Sequence, residues 1–326
     1  MKKLLLILLC LPFIGFGQNP YIVETKNNKS EIKEKLSEEE AFIINHFPFK
    51  HITEWENGMG FMVGQKTKYK TDINLYPYKS KQSYSNKLNY LDFEFKIFYV
   101  TTVEEKIVNC PRGKCTRTYV VFECEGKKYK SYEMTGSVEE LRSKKKALFS
   151  TISSLVNIDE IDKAKELLVD THLYIMNNLW IEDADNDLGY TQFKGKKFLK
   201  VKITQIGLGN SLNPVKIIFK VPDGNEYSRK VSFSGINSQK EFLSKFSDIF
   251  SFSNPKDKYP EINNEIWSII QEGKVRIGMT RLECELSWGN PKEINETIFD
   301  SEKNEQWVYS DNYLYFENGI LKTIQD

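Results

Sequence analysis

The sequence predicts an α+β protein made of tandem small units, each an antiparallel sheet with helices, that ends in two helices followed by a three- or four-stranded antiparallel meander. Three observations predict this class. Helical segments alternate with short β-branched and aromatic runs, glycine turns join those runs in pairs, and one strand–turn–strand–helix order occurs twice. With 326 residues, of which 40% are hydrophobic, the chain is long enough for two or three domains.

Residues 1–17 have the pattern of a secretory leader. Lys2 and Lys3 precede an apolar run at 4–16, and Gly15 and Gly17 supply the small residues that a signal peptidase needs. A bilayer-spanning helix needs about 20 apolar residues, so we expect this run to be a cleaved signal peptide. The mature chain is then expected in an oxidising compartment, periplasmic, outer-membrane-associated or secreted.

The composition limits the classes of partner that the protein is expected to bind. Removing Lys2 and Lys3 with the leader changes 46 basic against 45 acidic residues to 44 against 45, and near neutrality argues against nucleic acid as a partner. The run Lys144–Lys146 is interpreted as a solvated helix face rather than a phosphate site. Leu9 before Cys10 argues against lipidation, and no later segment reaches membrane-spanning length without charges.

Cys110 and Cys115 are a candidate disulfide. The loop between them contains a proline and a glycine, and in an exported protein closing it would contribute about 2 kcal/mol. Two reduced thiols at a hairpin tip are the alternative. A zinc site is disfavoured because no histidine has ligand spacing to these cysteines; the histidines are His46, His51 and His172. Cys124 and Cys284 are predicted to be small buried apolar residues.

The first helix is predicted to begin at Ser37, which forms a capping-box pattern with Glu40, and to stop before Pro48. The strands and turn predicted next are Phe93–Val100, Tyr119–Cys124, a turn at Glu125–Lys127, and Tyr129–Met134. The tyrosine-rich stretch Tyr76–Tyr90 has no firm period. It is predicted to be a long exposed loop, either a recognition surface for sugar or protein or a loop without a partner.

The repeated strand–turn–strand–helix order indicates a tandem duplication. One copy runs from Val120 to Ile152 and the other from Ile217 to Phe250, and each is followed by a further helix, at 159–176 and at 260–272. The apolar residues of the first two helices are Leu141, Leu148, Phe149 and Ile152, then Phe242, Leu243, Phe246, Ile249 and Phe250. Ser251–Lys258 is predicted to be a linker. The predicted units are therefore 18–156, 157–257 and 258–326.

The last unit has well-marked helix ends. Pro260 is predicted to open a helix that Gly273 closes. Thr280 and Glu283 form a second capping box, and that helix should end at Gly289 in the C′ position and Pro291. Four strands should follow, at Thr297–Phe299, Gln306–Tyr309, Tyr313–Phe316 and Ile320–Ile324, with Asn318 and Gly319 as a tight hairpin turn.

Residues 260–326 also resemble the SmpA/OmlA family, the small lipoprotein subunit associated with outer-membrane β-barrel assembly. The matching positions are Gly273, Val275–Thr280 with Gly278, Met279 and Thr280, Leu282, Trp288–Pro291, Gln306–Tyr309 with Trp307, and Tyr315–Gly319. The resemblance covers about a fifth of the chain. It implies a helix–helix–sheet fold in a non-enzymatic family that acts through protein or lipid contacts. The family's lipid-anchor cysteine has no counterpart just before this segment.

The sequence contains no nucleophile elbow, no His-Glu-x-x-His motif and no phosphate-binding glycine loop. A weak calcium candidate is the acidic run with Asp183, Asp185 and Asp187. It is not an EF-hand, because Leu188 and Lys194 stand where that loop needs glycine and glutamate. The run is either an irregular calcium loop or a solvated acidic turn. The three histidines are interpreted as packing or surface residues.

These observations favour an exported, non-enzymatic cell-envelope interaction or scaffold protein of a Gram-negative bacterium, without a cofactor, that binds another protein or the membrane periphery. The alternative is a secreted hydrolase or sugar-processing enzyme that uses carboxylates such as Glu54, Glu56 or the Asp183 run. That enzyme would need two carboxylates about 5 to 10 Å apart in a cleft. A third hypothesis is an inhibitor domain that plugs an enzyme cleft.

Overall fold

The computed structural model describes residues 36–48, 50–64, 72–143, 152, 154–183, 190–210, 213–233, 245–299 and 302–325. These residues form a mixed helix and strand structure in which the pairings between named strands are antiparallel. The predicted leader at 1–17 and the run Lys144–Lys146 lie outside the described residues. No helix in the described ranges combines the length and the apolar character that crossing a membrane requires.

The first sheet is built from strands between residues 60 and 157. The elements of this part of the chain are β1 Gly60–Val63, β2 Asp72–Ile73, β3 Leu75–Pro77, β4 Leu88–Asn89, β5 Ile97–Cys110, β6 Gly113–Cys124, β7 Lys127–Ser131, β8 Met134–Thr135, helix α2 Val138–Ser143 and β9 Leu155–Asn157. The strand order is β3-β7-β6-β5-β1-β9, with β8 beside β6, and β2 and β4 form a separate pair. Phe98, Val100 and Phe122 lie at the centre of its core, which Trp55 also joins.

The second sheet is also seven-stranded. Its elements are α3 Ile158–Leu168, β10 His172–Ile175, β11 Leu179–Asp183, β12 Tyr190–Lys194, β13 Leu199–Leu208, β14 Val215–Lys220, β15 Glu226–Val231, α4 Phe246–Ile249 and β16 Phe250–Ser251. The order is β12-β11-β15-β14-β13-β10-β16. Helix α3 covers one face through Ile161, Ala164 and Leu168, and Trp180 belongs to the same core. The predicted duplication, with β6 and β7 matched to β14 and β15, stays a prediction.

Helix α1, Glu38–His46, has the predicted capping box: the Ser37 hydroxyl accepts from the Glu40 N–H, and the Glu40 carboxylate accepts from the Ser37 N–H. The helix packs into the second core. Phe47, which follows it, stacks on Phe233 with 4.0 Å between ring centroids. Strand β9 likewise contributes to both cores, through Leu155 to the first and Val156 to the second.

The predicted helix at 159–176 is wrong after Leu168. Asp170 adopts a positive φ of 64°, which reverses the chain, and His172–Ile175 forms strand β10. Leu173 and Ile175 point into the core while His172 is exposed, so this stretch follows the two-residue period of a strand. In the second copy the described part of the predicted helix is α4, which ends at Ile249, and Phe250 opens β16; Phe242 and Leu243 lie outside the described residues.

Three other expectations need correction. Tyr76–Tyr90 is not simply an exposed loop, since Tyr76 is buried in β3 and Tyr90 is buried as well, although Tyr84 is exposed. Residues 93–96 precede β5 and are not part of a strand. Ser251–Lys258 is more than a linker: its first residue lies buried in β16 and its last four, Pro255–Lys258, form a 3₁₀ turn.

The third sheet is a four-stranded meander with two helices packed on it. Its elements are α5 Asn264–Gln271, α6 Arg281–Trp288, β17 Glu293–Phe299, β18 Glu302–Val308, β19 Tyr313–Glu317 and β20 Ile320–Gln325. Helix α5 begins after the N-cap Asn263, so Pro260 does not open it. The predicted capping box of Thr280 and Glu283 is present. The β19–β20 turn is the expected one, with positive φ at Asn318 (48°) and Gly319 (84°).

The turn at 195–198, between β12 and β13, joins the second sheet to this last unit. Phe198 lies in the core of the third unit beside Trp267. The Lys197 ammonium donates to the carbonyl oxygens of Leu286 and Ser287 at the C-terminal end of α6, where a cation is favoured by the helix dipole. Burial lowers the pKa of Lys197. The terminal helices are therefore fixed to the second sheet by a buried ring and a partly buried cation.

Candidate interaction surface

The predicted disulfide is present: Cys110 and Cys115 are bonded, with 6.0 Å between their Cα atoms. Cys110 is the last residue of β5 and pairs with Gly113, and Cys115 pairs with Val108 on the facing strand. The bond therefore closes the tip of the β5–β6 hairpin. Cys124 and Cys284 are free and buried, as predicted.

The hairpin is much longer than the core needs. Its base is packed, with Phe98, Val100, Val120 and Phe122 buried in the first core. Beyond the buried Thr118 the side chains become partly or fully exposed along both strands. We call the outer part, Lys106–Arg117, the arm. Its strands pair Lys106 with Arg117, and this register is continuous from Thr102 outward. A register shift between Val100 and Thr102 separates it from the buried base, so the arm extends the sheet beyond an irregularity.

The charge of the arm has one sign. Its charged residues are Lys106, Arg112, Lys114 and Arg117, and no acidic residue occurs between positions 106 and 117. Lys106 is neutralised by Glu133. Arg117 donates to the Thr135 hydroxyl and has Nη2 at 4.0 Å from the Cys110 sulfur. Within the part of the chain that the structure describes, no carboxylate pairs with Arg112 or Lys114.

The arm places these cations on both of its faces. Side chains alternate along a strand, so Ile107 and Lys114 lie on one face while Lys106 and Arg117 lie on the other. Arg112 lies in the turn at the tip and is exposed. Ile107 is 72% exposed, which is unusual for an isoleucine on a paired strand. The arm therefore carries a cation on each face and one at its tip, with an apolar side chain on one face.

A hydrogen-bonded network fixes the base of the arm. The Glu104 carboxylate accepts from the hydroxyls of Tyr78 (2.9 Å) and Tyr119 (2.8 Å). Lys130 and Lys106 both donate to Glu133, and their Nζ atoms lie 5.6 and 5.5 Å from the Tyr119 ring centroid.

The network also shifts proton affinities. Burial alone would raise the pKa of Glu133, but the hydrogen bonds and charges of its two lysines outweigh it and hold that pKa below its ordinary value. Burial and the bond to Glu104 raise the pKa of Tyr119. Sequence reasoning missed this network. The signal that could have found it is the hairpin register, which places Glu104 opposite Tyr119.

A second exposed surface is the sheet face of the last unit that the helices leave uncovered. One chain of side-chain hydrogen bonds crosses all four strands: Asn295 to Gln306 (3.1 Å), Gln306 to the Tyr315 hydroxyl (3.0 Å), and that hydroxyl to Gln325 (2.7 Å). The bonded groups are amides and a phenol hydroxyl, so this chain of hydrogen bonds links the four strands without a charged side chain.

The family-motif residues have structural positions. Met279 is fully buried, and Trp307 is buried with its indole N–H donating to Glu305. Gly278 and Gly289 adopt positive φ, with Gly289 as the C-cap of α6, and Pro291 follows it. The resemblance to the SmpA/OmlA family therefore stays a prediction carried by these residues, each of which also has a packing or turn role.

The other candidate residues that the structure describes make local contacts. Glu54 accepts the His51 N–H in a cap, and Glu56 pairs with Lys50 on the surface. His51 is buried with Nδ1 at 2.7 Å from the Thr53 hydroxyl, and burial lowers its pKa. The acidic run at Asp183, Asp185 and Asp187 lies outside the described side chains. Among the described residues, no three His, Cys, Asp or Glu side chains come together in a way that could hold a metal.

Comparison with known proteins adds no further constraint. No family model, no curated protein and no solved structure matches this chain.

Proposed function

We propose that this protein is an exported, non-enzymatic interaction or scaffold protein of the cell envelope that binds another protein or the membrane periphery. The observation that carries the proposal is the arm: a disulfide-closed hairpin with Arg112 and Lys114 exposed and unneutralised within the described residues. A long charged extension that the core does not need is most simply explained by a partner.

Three further features support the proposal. The leader pattern at 1–17 is that of a secreted chain, and a hairpin-tip disulfide persists in oxidising compartments. The Lys197 and Phe198 contacts fix the SmpA/OmlA-like unit to the second sheet, which suits a scaffold that holds surfaces in fixed positions. The carboxylates suggested for an enzyme, Glu54 and Glu56, are already engaged in a cap and an ion pair.

The test is to express the full chain in a Gram-negative host, fractionate the cells and determine the intact mass and N-terminus. We expect a chain that begins at Gln18 in the envelope fraction, in which Cys110 and Cys115 resist alkylation until they are reduced. An unclipped chain in the cytosol would overturn export. Hydrolysis of an ester or glycoside substrate that E54Q or E56Q abolishes would overturn the non-enzymatic assignment.

A further inference from the structure

We infer that the arm, Lys106–Arg117, binds an acidic polypeptide segment that wraps around its tip. The inference rests on the proposed function and names the chemical class of the partner. Arg112 and Lys114 are exposed, and the described residues offer them no carboxylate, so their counter-charges must come from solvent ions or from another molecule.

The distribution of the cations selects the shape of the partner. Lys114 lies on the face of Ile107, Arg117 lies on the opposite face and Arg112 lies at the turn. A flat bilayer would meet one face of the arm and leave the cation of the other face in water. A flexible acidic chain can follow the turn and reach all three cations, so the geometry favours a polypeptide over a membrane.

The arm is ordered before it binds. The disulfide closes its tip, the strand pairing is unbroken from Thr102 to the tip, and the Glu104 and Glu133 contacts fix its base. Association therefore costs little ordering of this chain. Ile107 gives one face an apolar contact beside Lys114, which adds specificity for a segment that mixes acidic and apolar residues.

The experiment uses the full oxidised chain and a fluorescent peptide that repeats Glu-Gly-Glu-Leu, with a Gln-Gly-Gln-Leu peptide as the uncharged counterpart. We expect the acidic peptide alone to bind, with an affinity that falls as salt screens the charges. R112E/K114E should weaken binding at least about tenfold. The matched control K258E/K322E reverses two exposed lysines in the last unit and should change it less than about twofold.

The remaining measurements decide between partners. I107S should weaken peptide binding by about threefold to tenfold without changing its salt dependence. Vesicles that contain phosphatidylglycerol are tested with the same variants; vesicle binding that exceeds peptide binding and depends on Arg112 and Lys114 would overturn the inference in favour of a membrane. Equal losses in R112E/K114E and K258E/K322E, or no peptide binding by the wild type, would also overturn it. A clipped envelope protein that ignores the peptide would leave the proposed function standing.

Discussion

The ring of Phe198 stands edge-on to the indole of Trp267, with 5.8 Å between centroids and an interplanar angle of 89°. Phe198 comes from the turn before β13 in the second sheet, and Trp267 lies on α5 of the last unit. Edge-to-face pairs of this kind contribute about 0.5–1.5 kcal/mol beyond area burial. The contact therefore couples two units that the sequence alone divides at residue 258.

Replacing Phe198 by alanine should uncouple the last unit. Phe198 is 6% exposed, so F198A should lower the free energy of unfolding by about 3–5 kcal/mol, measured by urea denaturation with tryptophan fluorescence. Phe95 provides a matched control because it has a similar positive φ, 62° against 57°, but is 75% exposed. F95A should cost less than about 1 kcal/mol. Equal costs would show that backbone conformation, and not burial, dominates at Phe198.

Gly195 should not tolerate a side chain. A Cβ there would lie 2.3 Å from the Trp180 ring, whereas one at Gly207 would meet nothing within 4 Å. Trp180 is buried and its indole N–H donates to the Asn177 carbonyl, so the ring has little freedom to move away. We expect G195A to lower the thermal midpoint by an amount equivalent to about 3 kcal/mol. G207A should stay within about 0.5 kcal/mol of the wild type, and a similar loss in both variants would contradict the steric explanation.

The free energy of unfolding should decrease as the pH rises, because of Glu160 on α3. Its Oε1 is buried without a hydrogen-bond partner among the described residues. Burial raises its pKa from 4.5 to about 7, against a hydrogen bond from the Phe233 backbone. The pKa of Glu160 is higher in the folded protein than in the unfolded chain. The stability that its protonated form contributes is therefore fully present below the unfolded pKa of 4.5 and is lost as the pH rises through about 7.

The test compares E160Q with the wild type by urea denaturation across that range. The unfolding free energy of E160Q relative to wild type should rise by about 3 kcal/mol as the pH increases from acid to slightly alkaline values. E166Q removes an exposed carboxylate from the same helix and serves as the control. A difference between E160Q and wild type that does not change with pH would refute the effect.

Removing the disulfide should loosen the tip of the arm more than the fold. C110S/C115S should lower the free energy of unfolding by about 2 kcal/mol. Amide hydrogen exchange should accelerate at Ile107–Thr116 and stay unchanged at core strand residues such as Val120. Reduction of the wild type should reproduce the effect. Uniform acceleration across the first sheet would mean that the bond supports the whole core.

Much of the local structure could be predicted because it depends on neighbouring residues. The capping boxes at Ser37 and Thr280 satisfy backbone N–H groups within one turn, and Asn318-Gly319 supplies the positive φ angles of a tight hairpin. The disulfide was predictable from the spacing of Cys110 and Cys115 and the turn residues between them.

What could not be predicted depends on distant partners. His172–Ile175 was predicted as helix because its length and apolar content fit either period, and only pairing with β13 and β16 selects the strand. Tyr76 is buried because β3 pairs with β7, a contact across about 50 residues of sequence. The single sign of the charges in the arm was visible in the sequence, but the exposure of the arm follows from a hairpin that extends beyond the core.

The Glu39 carboxylate of α1 accepts from the Ser251 hydroxyl (2.7 Å) and from the Phe252 N–H (2.9 Å), partners more than 200 positions later in the chain. Helix α1 is synthesised early, but Glu39 and Phe47 meet their partners only when the last third of the chain is present. Contacts this distant slow folding. The second core therefore completes its packing only after most of the chain has been synthesised.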